Sequence, residues 1–331
     1  NPQRKQLRPP VAAIVKLSQH NPSPVPPTAQ PLIVLALAIH DHQNHQSLSP
    51  YPLPRLVHHN PIELRAIIPP HHLAVTTSPQ IKTRNHQPIE MLLITSTDTE
   101  AGKTVLTAAL AAYGQKYRPG QNWGVLKPIQ CGTGDRELYS KLFARSVDDI
   151  NPIYLAAPLA PPIAASQAGV NIDLGIAWQA LERMRQQHDF VLVEAIGGLG
   201  TPITAELVVA DLARDWRLPA VLVVPVKLGS ICSAVANVAL ARQYNVQLRG
   251  IVLNCPQPLS TNEIANFAPA ELIQSLTSTP VLGCIPYLPD LADLDLLAAA
   301  AANLALEILF PNLTAGTGVN NPIESSRCVL T

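Results

Sequence analysis

The sequence predicts an α/β fold, a single domain built on a mostly parallel sheet with helices on both faces. Two observations carry this reading. Short apolar runs alternate with longer stretches of helical periodicity, and a Gly-Lys-Thr corner, Gly102-Lys103-Thr104, stands between the first run and the first helical pattern. A strand buried on both faces reads as an uninterrupted apolar run, and the helix after it supplies the crossover to a parallel neighbour. The chain has 331 residues, of which 47% are hydrophobic, enough for a sizeable core.

Taken in order, the strands are expected at Leu92–Thr95, Trp123–Leu126, Phe190–Val193, Ala220–Val224, Gly250–Leu253 and Val281–Ile285. Helical patterns begin at Val105 and recur at Ala177–Arg185, Glu206–Trp216, Cys232–Tyr244, Ala270–Leu276 and Leu291–Leu309. Right-handed crossovers gather the loops that follow the strands on one edge of the sheet, where ligands bind. His188 reads as a surface residue ahead of its strand. There is no internal repeat.

The composition changes near Met91. Nine of the ten histidines and 16 of the 33 prolines precede it. Residues 1–90 carry 8 Lys+Arg against 3 Asp+Glu, about +5, which leaves about −5 for the rest. Proline at that density interrupts helices and central strands. Residues 1–90 are therefore read as a Pro/His-rich extension, disordered or non-native. The domain is expected over 91–312, and residues 313–331, rich in Gly, Asn and Ser, as a loose tail. The apolar run Leu32–Ile39 is too short to span a membrane.

Zero net charge gives no reason to expect a nucleic-acid partner. The cysteines, Cys131, Cys232, Cys255, Cys284 and Cys328, are odd in number and contain no C-x-x-C pair. Reduced thiols in a cytosol are the simplest reading, with no zinc site and no disulfide framework.

The stretch Ser96-Thr97-Asp98-Thr99-Glu100-Ala101-Gly102-Lys103-Thr104-Val105 carries the most chemistry. Strand, loop, Gly-Lys-Thr and helix is the context of a phosphate-binding loop, whose backbone N–H groups face an anion at a helix N-terminus. Lys103 would reach the terminal phosphates and the Thr104 hydroxyl would hold Mg²⁺. Thr97 stands where the strict motif has its first glycine. The plainer alternative is a strand–turn–helix corner with no ligand.

The other strand ends add polar groups. Lys127 closes the second strand before Pro128, which is expected to stop strand pairing. A lysine there costs free energy unless it points into a polar site or snorkels at the sheet rim. Cys131 and Asp135 follow in a glycine-containing loop. Glu194 closes the next apolar strand ahead of Gly197, and an acid in that position beside a phosphate loop usually serves Mg²⁺. Thr104, Asp135 and Glu194 would form an oxygen ligand set completed by waters and phosphates. A helix beginning near Ser230 exposes N–H groups suited to a carboxylate, or is simply N-capped by Ser230. Asn254 ends its strand with an amide that can pair with an adenine edge.

Thr97-Asp98-Thr99-x-x-Gly102-Lys103-Thr104, Lys127-Pro128, Val191-x-Val193-Glu194 with Gly197-Gly198, Val226-x-Leu228-Gly229 and the strand ending in Asn254 occur in this order. Together they resemble the dethiobiotin synthetase family of P-loop NTPases, over about residues 91–310. The resemblance implies ATP-dependent carboxylation and ring closure of 7,8-diaminononanoate with CO₂ to dethiobiotin, by a cytoplasmic, magnesium-dependent homodimer with no membrane or nucleic-acid partner. It assigns ATP contacts to Thr99, Glu100, Ala101, Gly102, Lys103, Thr104, Val105, Asp135, Glu194, Gly197, Asn254 and Pro286. Lys127 and Lys103 become the catalytic lysines. Lys127, Cys131, Leu228, Gly229 and Ser230 become substrate contacts, the last three gripping a carboxylate across the dimer interface. The family differs at four positions, having Gly at Ser96, a small hydroxyl residue at Cys131, His at Pro162 and Gly at Ala195.

Two rivals share the loop. A cobyrinate-type amide-forming synthetase would also carry a glutaminase domain, for which the chain has no room. A partitioning-type switch ATPase would carry a second lysine early in the loop, and none precedes Lys103 there.

Overall fold

The structure is a computed structural model that describes residues 89–313. The expected extension, apart from Ile89 and Glu90, and the expected tail, apart from Leu313, lie outside the described residues.

The first strand, β1 (Glu90–Ser96), leads through the Gly-Lys-Thr loop into helix α1 (Lys103–Tyr117). β2 (Trp123–Leu126), β3 (Ile129–Cys131), α2 (Asp135–Phe143), α3 (Val147–Ile150), β4 (Ile153–Leu155), α4 (Pro161–Ala168) and α5 (Leu174–Gln187) follow. Next come β5 (Phe190–Gly198), α6 (Val209–Asp215), β6 (Ala220–Pro225) and α7 (Ser230–Gln243). The last elements are β7 (Leu248–Asn254), α8 (Thr261–Phe267), α9 (Ala270–Thr277), β8 (Val281–Ile285), α10 (Leu294–Ala302) and α11 (Leu306–Leu309).

Six strands form one parallel sheet in the order β2-β5-β1-β6-β7-β8, with every expected strand in it. The order reverses beside β1, which places the end of β1 at a switch point of the kind where α/β proteins bind ligands. Alternation along the strands divides the core. Leu92, Ile94, Phe190 and Leu192 face α1 and α10, where Leu106, Leu110 and Leu297 meet them. Leu93, Val191 and Val193 face the other way, onto Leu181 and Met184 of α5 and Leu212 of α6. Leu222, Val224, Ile251 and Leu253 pack on Val238 of α7 and Ile273 of α9.

Several expectations are corrected. Pairing of β2 with β5 stops at Leu126, ahead of Pro128 as expected, but strand structure resumes at once, because β3 pairs with β4 in a second, two-stranded parallel sheet. Asp135 is the first residue of helix α2 rather than part of a loop. β5 continues to Gly198, so Glu194 lies within the strand instead of closing it. The helical pattern at Leu291–Leu309 breaks into α10 and α11. His188 is 3% exposed, not on the surface, with Nδ1 3.1 Å from the Met184 carbonyl oxygen. The sheet starts at Glu90, two residues before the expected strand and one before the expected domain boundary, and Leu313 is buried in the core. The buried Glu90 carboxylate accepts the Asn312 N–H at 2.7 Å and pairs with Arg249 at 3.0 Å. Among the described residues no helix is long and apolar enough to cross a membrane.

Candidate active site

The phosphate-binding loop is shaped by one glycine. Gly102 has φ +99°, in the left-handed region, and a Cβ there would lie 2.1 Å from Asn254 Nδ2. The position therefore excludes side chains on both strain and space. Asn254 in turn donates from Nδ2 to the Ala101 carbonyl at 3.1 Å, which ties the end of β7 to the loop. α1 starts with no side chain capping it, so its first N–H groups remain available to an anion.

Lys103 is buried and folds back over the loop. Its Nζ donates to Ser96 Oγ at 3.0 Å and to the Thr99 carbonyl at 3.1 Å. Burial pulls its pKa below the ordinary lysine value, and the neighbouring Glu194 carboxylate works against that shift. Ser96, where the family has glycine, thus supplies a hydroxyl to the lysine, and its Oγ also lies 3.4 Å from the Gly197 carbonyl oxygen.

The end of β2, the middle of β5 and two helix starts then meet. Thr104 Oγ1 lies 2.9 Å from Asp135 Oδ1 and 3.1 Å from Glu194 Oε1. Lys127 Nζ, on a residue 3% exposed, lies 2.5 Å from Asp135 Oδ2 and 2.7 Å from Glu194 Oε1. Lys127 is therefore held in a polar site and does not snorkel at the sheet rim. Burial alone would lower its pKa, but the Glu194 and Asp135 carboxylates outweigh burial and hold it above the ordinary value. Burial pushes the Asp135 pKa up, and Lys127 more than reverses this, leaving it below the usual carboxylate range.

Sequence reasoning missed Tyr139. Its fully buried hydroxyl donates to Glu194 Oε2. Burial, and then the Glu194 charge, push its pKa well above the ordinary phenol. The signal was present in part, since Tyr139 lies one helical turn after Asp135, on the same face of α2. Glu137 was also missed. Its carboxylate accepts the Gly134 N–H at 2.9 Å and an Arg136 Nε–H at 2.7 Å, and so braces the start of α2 where Asp135 sits.

The remaining expected residues lie around this cluster. Ala195 faces away from Glu194 and packs its methyl into the core with Leu93, Ile129 and Val209, so the residue that replaces glycine does not crowd the site. Gly197 has φ +66°, and a Cβ there would meet Thr201 Oγ1 at 2.2 Å. Cys131 is half-buried at the end of β3, and burial raises its thiol pKa. Pro286 is exposed just past β8, beside the end of β7 that carries Asn254. Thr99 and Glu100 are exposed on the loop, and Val105 is half-buried in α1.

Leu228 is 87% exposed on the turn after β6. Gly229, with φ +94°, is the N-cap of α7, and Ser230 is its first helical residue, so Ser230 does not itself cap the helix. The Ser230 hydroxyl is consumed within the turn, accepting the Lys227 N–H at 3.0 Å and donating to the Pro225 carbonyl at 2.5 Å. A carboxylate reaching this turn would meet backbone N–H groups. A further link, unseen in sequence, is the Lys227–Asp98 ion pair at 2.9 Å, which joins this turn to the phosphate loop and lowers the Asp98 pKa.

Comparison with known proteins agrees with this geometry. The AAA domain family model matches residues 90–294. The ATP-dependent dethiobiotin synthetase BioD of Gloeothece citriformis is 54% identical over 222 residues, covering 66% of this chain and 98% of that protein. The protein of the same name from Crocosphaera subtropica is 54% identical over 219 residues, covering 66% of this chain and 99% of that protein. In Gloeobacter violaceus the identity is 44% over 227 residues, covering 69% and 99%. Among solved structures, the MinD cell division protein of Aquifex aeolicus is 17% identical with a TM-score of 0.43, covering 69% of this chain and 98% of that one, a likeness too distant to bear on function. This chain belongs to the family of ATP-dependent dethiobiotin synthetases.

Proposed function

We propose that this chain converts 7,8-diaminononanoate, CO₂ and ATP into dethiobiotin, ADP and phosphate, the ring-closing ligation of biotin synthesis. The observation that carries the proposal is the cluster of Lys103, Thr104, Lys127, Asp135 and Glu194 at one sheet edge, in a chain 54% identical to named dethiobiotin synthetases.

One amine of the substrate takes up CO₂ as a carbamate. A carbamate oxygen attacks the γ-phosphorus of ATP, and the bond to the β–γ bridging oxygen breaks to release ADP. The second amine then attacks the carbonyl carbon, closes the cyclic urea and expels phosphate. Little covalent chemistry falls to the protein, which positions the partners and offsets phosphoryl charge.

The N–H groups of Thr99 to Val105 cradle the phosphates. Lys103 exchanges Ser96 Oγ and the Thr99 carbonyl for phosphate oxygens. Lys127, fixed between two carboxylates, presents its ammonium to the transferred group and to the carbamate. Asn254 and Pro286 flank the adenine, and Gly197 keeps the end of β5 close to the loop. Leu228, Gly229 and Ser230 hold the substrate carboxylate through backbone N–H groups at the interface of a homodimer, and Cys131 lines the substrate side.

Thr104, Asp135 and Glu194 would hold Mg²⁺. The donors are one hydroxyl and two carboxylates, an all-oxygen set that suits a hard cation. Bound there, the ion supplies positive charge to the phosphates. Placement in the cytoplasm belongs to the same proposal.

Product analysis tests the reaction. With the diamine, bicarbonate, Mg²⁺ and ATP, the protein is expected to release dethiobiotin and ADP in equal amounts. Release of ADP that ignores the diamine, with no cyclic urea, would overturn the proposal in favour of a switch ATPase.

A further inference from the structure

Two strands outside the cluster bring two thiols together. Cys255 Sγ lies 3.6 Å from Cys284 Sγ, although 28 residues separate them in the chain. The cause is a bulge. Ile251 pairs with Val281, but Leu253 pairs with Cys284, so β8 carries one extra residue over this interval. Gly283 occupies it with φ +136°, a conformation that L side chains rarely adopt. The bulge changes which face β8 presents. Leu282 and Ile285 face the α1 side, while Val281 and Cys284 share the opposite side with Leu253 and Cys255. Without the extra residue Cys284 would stand opposite Asn254 and point away from Cys255. The Cys255 N–H continues the ladder onto the Ile285 carbonyl at 2.9 Å, which holds the two positions side by side.

We propose that Cys255 and Cys284 are a reversible oxidation site, a dithiol that hydrogen peroxide closes to a disulfide linking the end of β7 at Asn254 to the end of β8 ahead of Pro286. The chemistry of the pair supports it. The hydrogen bond between the two sulfurs favours thiolate at Cys255 and holds its pKa below the ordinary thiol, while that same bond and burial push Cys284 up. Thiolate is the species that oxidants attack. Cys284 is half-buried and Cys255 buried, so a small peroxide is the fitting oxidant.

The Cys255 thiolate attacks one peroxide oxygen, the O–O bond breaks, and a sulfenic acid and hydroxide result. The Cys284 thiol then attacks the sulfenic sulfur, an S–S bond forms, the S–O bond breaks, and its proton leaves with the hydroxyl as water. The released hydroxide takes up the proton that Cys255 lost, so in sum two thiols and one hydrogen peroxide give one disulfide and two waters. An external dithiol reverses the step by exchange.

The test uses the full chain, and reads sulfur chemistry independently of the proposed reaction. The protein is treated with hydrogen peroxide, its remaining thiols are alkylated, and its peptides are mapped by mass. A peptide pair joined through Cys255 and Cys284, lost on adding dithiothreitol, is expected. Oxidation should also raise Tm by roughly 5 °C or more, since the crosslink constrains the unfolded chain. Cys284→Ser, at a half-buried site, should abolish both the joined pair and the rise, as should Cys255→Ser. Cys131→Ser and Cys232→Ser should keep both. Full alkylation of both thiols after peroxide, unlinked sulfinic acids, or linkage of either cysteine to a different partner would overturn the inference.

Discussion

Lys127 Nζ stands 2.7 Å from Glu194 Oε1, one cation wedged between a fully buried carboxylate and the Asp135 carboxylate at 2.5 Å. The Glu194 carboxylate is costly to leave unpaired at such depth, and so is the lysine, whereas Asp135 is partly exposed. The three groups therefore hold one another in place at the end of the phosphate loop, and each variant there should report on both stability and turnover.

Lys127→Met and Lys103→Met keep bulk and remove charge. Each should lower turnover by roughly 10²-fold or more, the scale for losing an electrostatic partner of the transition state. Lys127→Met should also destabilise the protein by about 3 kcal/mol, since it strands the buried Glu194 carboxylate, whereas Lys103 leaves only hydroxyl and carbonyl partners. Single-turnover phosphoryl transfer and denaturant unfolding separate the effects. Near-normal turnover in either variant removes that lysine from the mechanism.

Glu194→Gln preserves size but not charge, and should shift the Mg²⁺ titration of activity to higher concentration. Tyr139→Phe removes the donor to Glu194 Oε2 and should shift it the same way by a smaller factor, with a stability loss of about 1–3 kcal/mol. Mg²⁺ titrations that overlay the parent in both variants would take Glu194 out of the ligand set.

Glu137 titrates in an informative window. Burial would raise its pKa, but the Arg136 guanidinium and the Gly134 N–H together outweigh it and hold it at about 2 in the folded chain, below its ordinary 4.5. A depressed folded pKa means the carboxylate contributes stability above about pH 4.5, and that contribution fades as pH falls towards 2. Solvent screens this exposed group, so the contribution is at most about 1 kcal/mol. Parent and Glu137→Gln should differ in unfolding free energy at pH 6 and converge at pH 2. A difference that stays constant across that range would mean the carboxylate charge does not brace α2.

The start of the domain can be placed by truncation. A chain beginning at Ile89 should fold and keep activity. One beginning at Met91 loses the Glu90 carboxylate, which holds Arg249 and the Asn312 N–H, and should be less stable by about 1–3 kcal/mol while still folding. Equal melting temperatures would show that Glu90 contributes nothing, and an inactive Ile89 chain would show that residues before it are needed.

By itself the sequence determined the parallel α/β sheet and the residues at its chemical edge. Buried parallel strands must be continuously apolar, and a phosphate loop must put Gly-Lys-Thr between strand and helix, so both features are local and readable in order along the chain. The short elements were not readable. β3 and β4 owe their form to each other across the intervening α2 and α3, as where Ile129 pairs with Ile153. The tertiary structure alone decided which charges meet. It set Lys127 between Asp135 and Glu194, brought Tyr139 under Glu194, and joined Lys227 to Asp98. It also placed Cys255 beside Cys284, a pairing that no spacing rule signals. A single extra residue in β8 turned one side chain to the other face, and a change of face is visible only once the strands are in register.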